Sequence, residues 1–416
     1  MFNCCLGGGG AQEKERPQGT PSELHKNFSD KTILDGFVAP PGTPMLPGCD
    51  LEGVLGKGTF GSVMLVRERS TQERFAVKIM NKEHLLRENQ LENITVERQV
   101  LRNAGPHPFI VECHSGFQTE DVVVLVLEYL SGGDMFDLLA KNGTLQEEEA
   151  KFYLAELAVA IGELHRFKFV WRDVKLENIL MDEFGHIRIT DFGLAGRYAS
   201  GQATDTSIKD ISGTAVYQAP EILSRKGHGR IVDWWALGIL AYILVAGRPP
   251  FRSDDYTELF NKIEKEELDL DKDDRTKILS DEMKNFINGL LVKDVNKRLG
   301  SQGDAEEVKG HPFFKGISWE ELEKMEMPAP LEPPLQPPVK GDTVQKAEAE
   351  QWLREVMGKK GKHPKAVQVA DYKNIRNEYK NRRNSIGLDF GNTHSEQSRK
   401  TWTGTTDDFG RLATGF

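Results

Sequence analysis

The sequence has few of the features that mark secreted, membrane-spanning or nucleic-acid-binding proteins. Four cysteines among 416 residues are too few for a disulfide framework and are typical of a reducing cytoplasm. No secretory signal pattern opens the chain. The most apolar stretch, Trp234 to Ala246, is shorter than the roughly 20 residues of a membrane-spanning helix and predicts a buried core helix. A cytoplasmic protein is expected.

The first residues leave membrane attachment open. Phe2 excludes N-myristoylation, which requires glycine at that position. Cys4 and Cys5 could carry palmitate, although two cysteines without a first anchor are a weak signal for stable attachment. The sequence therefore allows a peripheral membrane location beside the cytoplasmic one.

The formal net charge of −10 is distributed unevenly. Residues 340–416 carry 15 lysines and arginines against 10 acidic residues, whereas residues 1–339 carry a net charge of −15. This basic tail could fold back onto the acidic body or stay solvated, and both readings are kept. The concentrated basic stripe of a nucleic-acid binder is absent from the sequence.

Secondary-structure patterns change along the chain. Residues 1–49 are rich in glycine, proline and small polar residues and predict a flexible leader. From residue 51 short β-type runs dominate, with one helical pattern at residues 89–103. Apolar residues at helical spacing dominate after Gly133. Six prolines between residues 328 and 338 predict an extended strap, because proline cannot donate to a helix or sheet.

Residues 56–63, GKGTFGSV, carry a glycine pattern used by two classes of nucleotide-binding protein. Dinucleotide-binding folds use nearly the same spacing, but there the glycines lead from a strand into a helix. Here Gly56, Gly58 and Gly61 lead into a second strand that contains Val63. This order favours a hairpin whose backbone N–H groups close over ATP phosphates, and it makes a nucleotide-dependent oxidoreductase a remote alternative.

Two charged residues follow in the order that such a phosphate site requires. Lys78 lies in a strand-like run after Ala76 and could hold the α- and β-phosphates. Glu97, in the predicted helix 89–103, is placed to pair with that lysine. An isolated lysine and glutamate would ordinarily be surface charges, so the interpretation depends on their context.

The string WRDVKLEN at residues 171–178 carries the strongest catalytic signal. Asp173 could accept the proton of a substrate hydroxyl, and Lys175 could balance charge on a transferred phosphoryl group. Asn178 and Asp191 supply hard oxygen atoms of the kind that Mg²⁺ prefers. Their order and spacing predict ATP and Mg²⁺ as the ligands of this chain.

These strings together resemble the signature of eukaryotic protein kinases. Within that family the chain resembles the AGC group, near the catalytic subunits of the cyclic-nucleotide-dependent enzymes. Four further strings carry this second resemblance: FGHIRITDFG at 184–193, VDWWALG at 232–238, KRLG at 297–300 and HPFF at 311–314.

The resemblance implies an α+β, two-lobed kinase fold. Residues 50–130 are expected to form a small antiparallel β lobe with one helix, called αC in this family, and residues 131–314 a large helical lobe. Residues 315–416 would be a C-terminal extension and regulatory tail.

The resemblance also assigns roles around the cleft. ATP would lie near Leu127 and Glu128, with Asp134 among its contacts. Arg172 and Thr214 join the catalytic residues, and Lys175 with the Gly-Thr pair at 213–214 places the chain among serine/threonine kinases. Glu221 is expected to pair with Arg298, and Asp233 to brace the catalytic loop.

The activation segment departs from the family pattern. Relatives carry a phosphorylatable threonine three residues before the Gly-Thr pair, where this chain has Asp210. One hypothesis is that Asp210 pairs with Arg172 as a permanent anion, so that no activating phosphorylation is needed. The alternative is that the segment uses Thr204, Thr206 or Ser207 instead.

Substrate preference is partly predictable. Asp134 and Glu177 match acidic positions that bind substrate arginines in basophilic relatives. A third expected acid is replaced by Ile243, and Gln218 stands where an apolar residue often lines the pocket after the phosphoacceptor. The resemblance therefore implies an Arg-x-x-Ser/Thr preference without strict selection of the following residue.

The tail offers one regulatory candidate, Ser385 in RRNSI, which is either a phosphorylation site that occupies the cleft when unmodified or part of a chance basic run. Helical patterns are also predicted near residues 352–357 and 372–379. A monomeric catalytic chain is expected, and any cyclic-nucleotide control would come from a separate regulatory subunit. The rival from another functional class is a catalytically silent pseudokinase scaffold.

Overall fold

A five-stranded antiparallel sheet forms the first lobe of the computed structural model, which describes residues 48–333 except 59–60, 89, 119–121, 200–204 and 211. The strands lie in the order β1-β2-β3-β5-β4. Their bounds are β1 Cys49–Gly58, β2 Gly61–Glu68, β3 Arg74–Asn81, β4 Cys113–Gln118 and β5 Val122–Glu128.

The two faces of this sheet have different tasks because successive side chains point to opposite sides. In β3, Phe75, Val77 and Ile79 pack into an outer apolar cluster. The alternate residues Ala76 and Lys78 therefore lie on the inner face, towards the second lobe. The alternation of side chains along β3 therefore determines which residues of this lobe face the cleft.

Two helices accompany the sheet: α1 Lys82–Arg87 and α2 Leu91–Asn103. Helix α2 is the expected αC helix. Helix α1 was not predicted. Asn81 caps its N-terminus, because the Asn81 side chain accepts a hydrogen bond from the His84 amide. Buried Leu85 and Leu86 hold this short helix against the core.

Helices build the second lobe. Their bounds are α3 Met135–Asn142, α4 Glu147–Arg166, α5 Pro220–Leu223, α6 Ile231–Ala246, α7 Tyr256–Lys265, α8 Asp281–Leu290, α9 Ala305–Lys309 and α10 Trp319–Glu323. All residues of α6 are buried, as predicted for its apolar stretch, and α6 packs against α4 and α8.

Short strands frame the catalytic string between the lobes. Two-stranded sheets pair β6 Phe169–Val170 with β9 Gly196–Arg197, and β7 Ile179–Met181 with β8 Ile187–Ile189. Residues 171–175 form the loop after β6, and a single 3₁₀ turn, Leu176–Asn178, leads into β7. Further 3₁₀ turns are Ala215–Tyr217 and Pro312–Phe314.

The beginning of the predicted proline strap packs on the second lobe. Ala329 and Leu331 are buried there, and the Leu331 carbonyl approaches Gly185 so closely that an added Cβ would lie 2.5 Å away. Cys4, Cys5, Ser385 and the two helical patterns of the tail lie outside the described residues.

The expected two-lobed architecture, a β lobe followed by a helical lobe, is confirmed. None of the helices in the described part of the chain combines the length and apolar character that crossing a bilayer requires.

Candidate active site

Three charged side chains meet beneath the sheet. Lys78 Nζ lies 2.7 Å from Glu97 Oε1 and 3.0 Å from Asp191 Oδ1. Strand β3 supplies the lysine, α2 the glutamate, and the turn after β8 the aspartate. Burial would lower the pKa of Lys78, but the neighbouring charges of Asp191 and Glu97 outweigh it and raise that pKa. The lysine is therefore an ammonium group, and its charge lowers the pKa of Asp191.

The glycines of the hairpin above these charges have unequal environments. A Cβ on Gly56 would meet no atom within 4 Å, so its backbone faces open space. A Cβ on Gly61 would lie 1.8 Å from the Ile79 carbonyl oxygen, so only glycine allows β2 to approach β3 there. Gly58 pairs with Gly61 in the ladder. The tip residues 59–60 are not among those described.

An apolar wall lies beside the lysine on the inner face of the sheet. Val63 pairs directly with Lys78, and Ala76 pairs with Leu127. Directly paired residues share a face, so all four side chains line the cleft. The Glu128 side chain is buried and its Oε1 accepts a hydrogen bond from the Glu112 amide at 2.8 Å. Because the side chain of Glu128 is engaged in this way, its main chain is the part that can contact the adenine base of ATP in the cleft.

The two carboxylate oxygens of Asp173 are used differently. Oδ2 receives Asn178 Nδ2 at 2.6 Å and Lys175 Nζ at 2.8 Å. Oδ1 is buried and has no hydrogen-bond partner among the described residues. Burial raises the pKa of Asp173, although the Lys175 charge opposes that shift. The carboxylate of Asp173 is therefore held in place by one oxygen, and its other oxygen is available to accept a hydrogen bond from a substrate hydroxyl.

The oxygen atoms that could hold Mg²⁺ are oriented by their neighbours. Asn178 Nδ2 donates to both the Asp173 carbonyl and its carboxylate, while Asn178 Oδ1 makes no hydrogen bond to the residues that the structure describes. Asp191 Oδ1 is engaged by Lys78 and the Gly193 amide, while Oδ2 makes no hydrogen bond among the described residues. One amide oxygen and one carboxylate oxygen fit the oxygen preference of Mg²⁺.

A small pocket adjoins Asp173. Its lining residues are Arg172, Asp173, Thr214, Tyr217, Gln218, Ile222, Val232 and Ala236. Thr214, which the resemblance assigns to the catalytic residues, thus lies beside Arg172 and Asp173. The Gln218 amide group donates to the carbonyls of Ser212 and Gly213 at 3.2 and 3.0 Å, so this polar residue is tied to its own loop.

Arg172 connects the catalytic loop to two other segments. Its Nε donates to the Leu194 carbonyl at 2.6 Å, and its Nη1 lies 2.8 and 2.9 Å from the carboxylate oxygens of Asp210. The side chain of Arg172 is only 4% exposed. Gly196 provides the space, because a Cβ there would lie 3.3 Å from the guanidinium carbon. The pairing of Arg172 with Asp210 expected from the sequence is present.

Asp233 holds the backbone of the loop from behind. Its carboxylate accepts hydrogen bonds from the amides of Trp171 and Arg172, both at 2.8 Å. The same carboxylate contacts His165, which in turn contacts Asp304. The role of Asp233 was expected from the resemblance, whereas His165 and Asp304 were not predicted. No motif signals Asp304, since it is brought to His165 only by the packing of α9 on α4.

The second structural pair implied by the resemblance is also present. Arg298 Nη2 donates to Glu221 Oε2 at 2.9 Å, and Arg298 is fully buried. This pair ties the end of the activation segment to the chain after α8. A buried arginine needs such a partner to offset its lost hydration.

The acidic positions assigned to substrate lie at the edge of the cleft. Asp134 caps α3 by accepting a hydrogen bond from the Asp137 amide at 2.8 Å, and Glu177 lies in the 3₁₀ turn of the catalytic string. Burial, with smaller contributions from the charges of Asp137 and Glu177, raises the pKa of Asp134 to about 6. Ile243 is buried inside α6, so no acid is available at that position.

Comparisons with known proteins agree with this geometry. The protein kinase domain family matches residues 49–314. Serine/threonine-protein kinase sgk-1 of Caenorhabditis elegans is 39% identical over 279 residues, which are 67% of this chain and 58% of the relative. RAC-beta serine/threonine-protein kinase of Homo sapiens is 41% identical over 281 residues, 67% of this chain and 56% of the relative.

A third relative, protein kinase C of Drosophila melanogaster, is 38% identical over 286 residues, 68% of this chain and 38% of the relative. The chain thus spans between 38% and 58% of the length of these three curated relatives. All three are kinases of the AGC group, as the sequence strings predicted. The special likeness to cyclic-nucleotide-dependent enzymes stays a prediction. The chain belongs to the protein kinase family and, within it, to the AGC group of serine/threonine kinases.

Proposed function

We propose that this chain is an active serine/threonine protein kinase that transfers the γ-phosphoryl group of Mg·ATP to protein hydroxyls. The observation that carries the proposal is the state of Asp173. One carboxylate oxygen is fixed by Lys175 and Asn178, while the other is a buried acceptor without a partner among the described residues. A scaffold has no need to keep an unpaired buried oxygen, which costs about 1–3 kcal/mol.

The Lys78–Glu97 pair gives independent support for catalysis over a scaffold role. Glu97 is buried, the Lys78 side chain is 20% exposed, and the two are joined at 2.7 Å, with Asp191 within 3.0 Å of the same ammonium group. This arrangement places a fixed positive charge beside Asp191, one of the two candidate metal ligands. Bound Mg²⁺ would neutralise phosphate charge, and Asn178 and Asp191 would hold it.

Each residue of the site then has one task. Lys78 binds phosphate oxygens and the backbone of the glycine hairpin covers them. Asp173 orients the substrate hydroxyl through Oδ1, and Lys175 balances charge on the transferred group. The protein contributes position and charge, so small displacements of these groups reduce the rate of transfer.

The test is transfer of labelled phosphate to a serine peptide by the purified full chain, with and without Mg²⁺. We expect Mg²⁺-dependent incorporation into serine, and its loss in the Glu97→Gln variant, which leaves Lys78 without its buried partner. Binding of ATP to the wild-type protein without any transfer to protein or peptide would support the scaffold instead.

We further propose that substrates carry arginine before the phosphoacceptor. The charge of Glu177 contributes to the raised pKa of Asp134, and no basic side chain is hydrogen-bonded to either residue among the described contacts. An arginine of the substrate would supply the missing cation. A panel of serine peptides with arginine moved between positions tests this, because Glu177→Gln should reduce the preference while leaving transfer to an arginine-free peptide unchanged.

Asp210 is proposed to replace an activating phosphate. Arg172 is the guanidinium group that links the catalytic loop, the Leu194 carbonyl and Asp210. Burial would raise the pKa of Asp210, but Arg172 lowers it below its ordinary value, so the carboxylate stays charged at neutral pH. Of the three competing hydroxyls, Thr204 lies outside the described residues, Thr206 is exposed, and Ser207 Oγ accepts a hydrogen bond from the Ala199 amide at 3.1 Å.

Phosphatase-treated protein decides between these alternatives. We expect full activity after phosphatase treatment, with a reduction of about tenfold in Asp210→Asn, since one charge-assisted pair contributes about 1.5–3 kcal/mol. The double variant Thr206→Ala/Ser207→Ala should match the wild type. Inactive phosphatase-treated protein, or an inactive double variant, would assign activation to phosphorylation.

A further inference from the structure

A chain of buried polar contacts runs from the end of the second lobe to the catalytic loop. His165 Nε2 lies 2.9 Å from Asp233 Oδ2, and His165 Nδ1 lies 2.8 Å from Asp304 Oδ1. The side chains of His165 and Asp233 are both 0% exposed. Asp233 in turn accepts the amides of Trp171 and Arg172. Asp304 is therefore connected to the loop that carries Asp173 through one histidine.

The contacts of His165 determine its protonation. Both ring nitrogens face carboxylate oxygens, which accept hydrogen bonds and cannot donate them when ionised. A neutral imidazole carries one N–H and would leave one of these contacts as two facing acceptors. An imidazolium donates to both carboxylates. Burial alone would lower the pKa of His165, but the charge of Asp304 and the two carboxylate hydrogen bonds raise it to about 9.

Asp304 keeps its position at a conformational cost. Its backbone has φ 55° and ψ −133°, a region that glycine adopts far more readily than any residue with a side chain. It precedes α9, where aspartate commonly caps a helix, yet its carboxylate makes no capping hydrogen bond. The side chain is instead directed at His165, Trp234 and Arg230. Neither backbone preference nor capping explains an aspartate at this position.

Packing brings Asp304 to the histidine and holds it there. A Cβ on Gly162 would lie 2.5 Å from the Ala305 Cβ, so a glycine one turn before His165 allows α9 to approach α4. Trp234 Nε1 donates to Asp304 Oδ1 at 2.8 Å, and Arg230 Nη1 lies 2.9 Å from the same oxygen. These two donors keep the carboxylate oriented towards the ring.

We propose that Asp304 is a positioning residue of the catalytic loop, which acts by keeping His165 as an imidazolium that fixes the carboxylate of Asp233. A neutral ring has a single N–H for two carboxylates, so when that hydrogen lies on Nδ1, towards Asp304, Asp233 loses its hydrogen bond from Nε2 and is held only by the amides of Trp171 and Arg172. The loop that presents Asp173 then loses its support from behind. Asp304 touches neither substrate nor nucleotide in this account.

All groups that face His165 are consistent with this role. Asp233 and the Trp234 ring face it from α6, and Asp304 from the turn before α9. Tyr198, after β9, donates its hydroxyl to the His165 carbonyl and stacks edge-on against the ring. Two cations lie close to these groups among the described residues: Arg230 is paired with Asp304, and Lys168 Nζ lies 5.2 Å from the centre of the Tyr198 ring.

The stabilisation contributed by protonated His165 decreases at alkaline pH. A histidine whose folded pKa lies above its unfolded value stabilises the folded state below about pH 6.5, the unfolded value, and this contribution is lost as the pH rises through about 9. Removal of the Asp304 charge should therefore move the loss of loop support to lower pH. The effect is expected on the alkaline side of the profile and not on the acidic side.

The first measurement uses the wild-type protein and does not depend on the proposed kinase activity. The His165 ring, identified in an NMR spectrum of ¹³C,¹⁵N-histidine-labelled protein by its contacts with the Trp234 indole, should carry protons on both nitrogens at pH 8. A neutral ring at pH 7.5 would overturn the proposal. Because this readout requires no turnover, it separates failure of this inference from failure of the proposed function.

The second measurement compares phosphoryl transfer by Asp304→Asn with the wild type between pH 6 and 9.5. We expect kcat to fall about threefold at pH 8.5 and less than about twofold at pH 6.5, because lowering the His165 pKa by about one unit from about 9 reduces the protonated fraction about threefold at pH 8.5. The KM for ATP should stay constant. An equal loss at every pH would show a structural role and overturn the proposal.

Two further variants complete the test. Glu306→Gln removes an exposed charge two residues away, whose side chain is 82% exposed, and should leave the profile unchanged. Asp304→Gly relieves the strained backbone, so a residue without a role would be replaced with equal or greater activity. We expect Asp304→Gly to lose activity at pH 8.5 as Asp304→Asn does; wild-type activity there would contradict the proposal.

Discussion

The two lobes hold their functional side chains by different physical means. In the β lobe, strand register places Lys78 on the inner face, and its contacts are two carboxylates at the cleft. In the helical lobe, Asp233 is completely buried and accepts hydrogen bonds from two loop amides and His165. The lysine of the β lobe is thus held by two carboxylates in a partly exposed cluster at the cleft, whereas the helical lobe positions its loop through a completely buried carboxylate.

This difference separates the consequences of mutation. A side chain placed by register can be removed while the ladder of backbone hydrogen bonds remains. A buried carboxylate with three donors cannot be removed without leaving several polar groups unpaired, at a cost of about 1–3 kcal/mol each. Variants of the β lobe should therefore reduce activity with the fold retained, and variants behind the catalytic loop should reduce both.

The largest effect is expected for Asp233→Leu. It leaves the His165 imidazolium and the amides of Trp171 and Arg172 without their shared acceptor. The free energy of unfolding should fall by about 3–5 kcal/mol, the usual cost of breaking a buried ion pair. Urea unfolding followed by tryptophan fluorescence measures it. A loss below about 1 kcal/mol would show that the network does not hold the lobe together.

Lys78→Met is the matched test in the β lobe. It removes the charge that lowers the pKa of Asp191 but leaves the β2–β3–β5 ladder intact. We expect kcat to fall by about 10²–10³-fold, the typical result of removing one donor that stabilises developing charge. Steady-state kinetics measures this, and circular dichroism should show the wild-type spectrum. A collapse of the β lobe in this variant would remove the contrast between the lobes.

Substitutions of two glycines in the hairpin test whether each glycine is required for strand packing or for ATP binding. Gly61→Ala introduces a Cβ 1.8 Å from the Ile79 carbonyl oxygen, whereas Gly56→Ala meets no atom within 4 Å. Stability should fall by about 1–3 kcal/mol in the first variant because strands β2 and β3 must separate. In the second, the KM for ATP should rise with stability unchanged. Thermal unfolding and ATP titration distinguish the two, and equal melting temperatures would refute the steric argument.

The smallest effect concerns pH and substrate binding. Because the pKa of Asp134 is raised to about 6, its carboxylate becomes protonated as the pH falls below that value. The KM for an arginine-containing peptide should rise by up to about tenfold between pH 7 and 5, since one pKa unit corresponds to a factor of ten. The KM for an arginine-free peptide serves as the control. Parallel changes for both peptides would exclude Asp134 as the group responsible.

Local patterns predicted those parts of the site that are contiguous in sequence. Residues 171–178 fold as one loop and turn, so Asp173, Lys175 and Asn178 could be placed from their spacing alone. Burial of α6 could also be predicted, because a helix that is apolar on all sides is stable in a soluble protein only when the core surrounds it. Helix α1 was not predicted, since six residues give too few turns for a periodic signal.

The support behind the loop could not be predicted in the same way. His165 and Asp304 are 139 positions apart in the chain and meet only because Gly162 lets α9 approach α4. Neither residue lies in a motif with a known spacing. The orientation of the Asp173 oxygens could not be predicted from the sequence either, because it depends on which atoms of Lys175 and Asn178 contact the carboxylate.

The central claim is that Asp173 presents an unpaired carboxylate oxygen to a substrate hydroxyl, while the other residues of the site bind Mg·ATP, orient it and balance its charge. The most direct measurement compares single-turnover phosphoryl transfer and Mg·ATP affinity for the wild type and Asp173→Asn. We predict unchanged Mg·ATP affinity and a transfer rate at least about 10²-fold lower in the variant. Transfer at the wild-type rate by Asp173→Asn, or no transfer by the wild type despite tight Mg·ATP binding, would contradict the account.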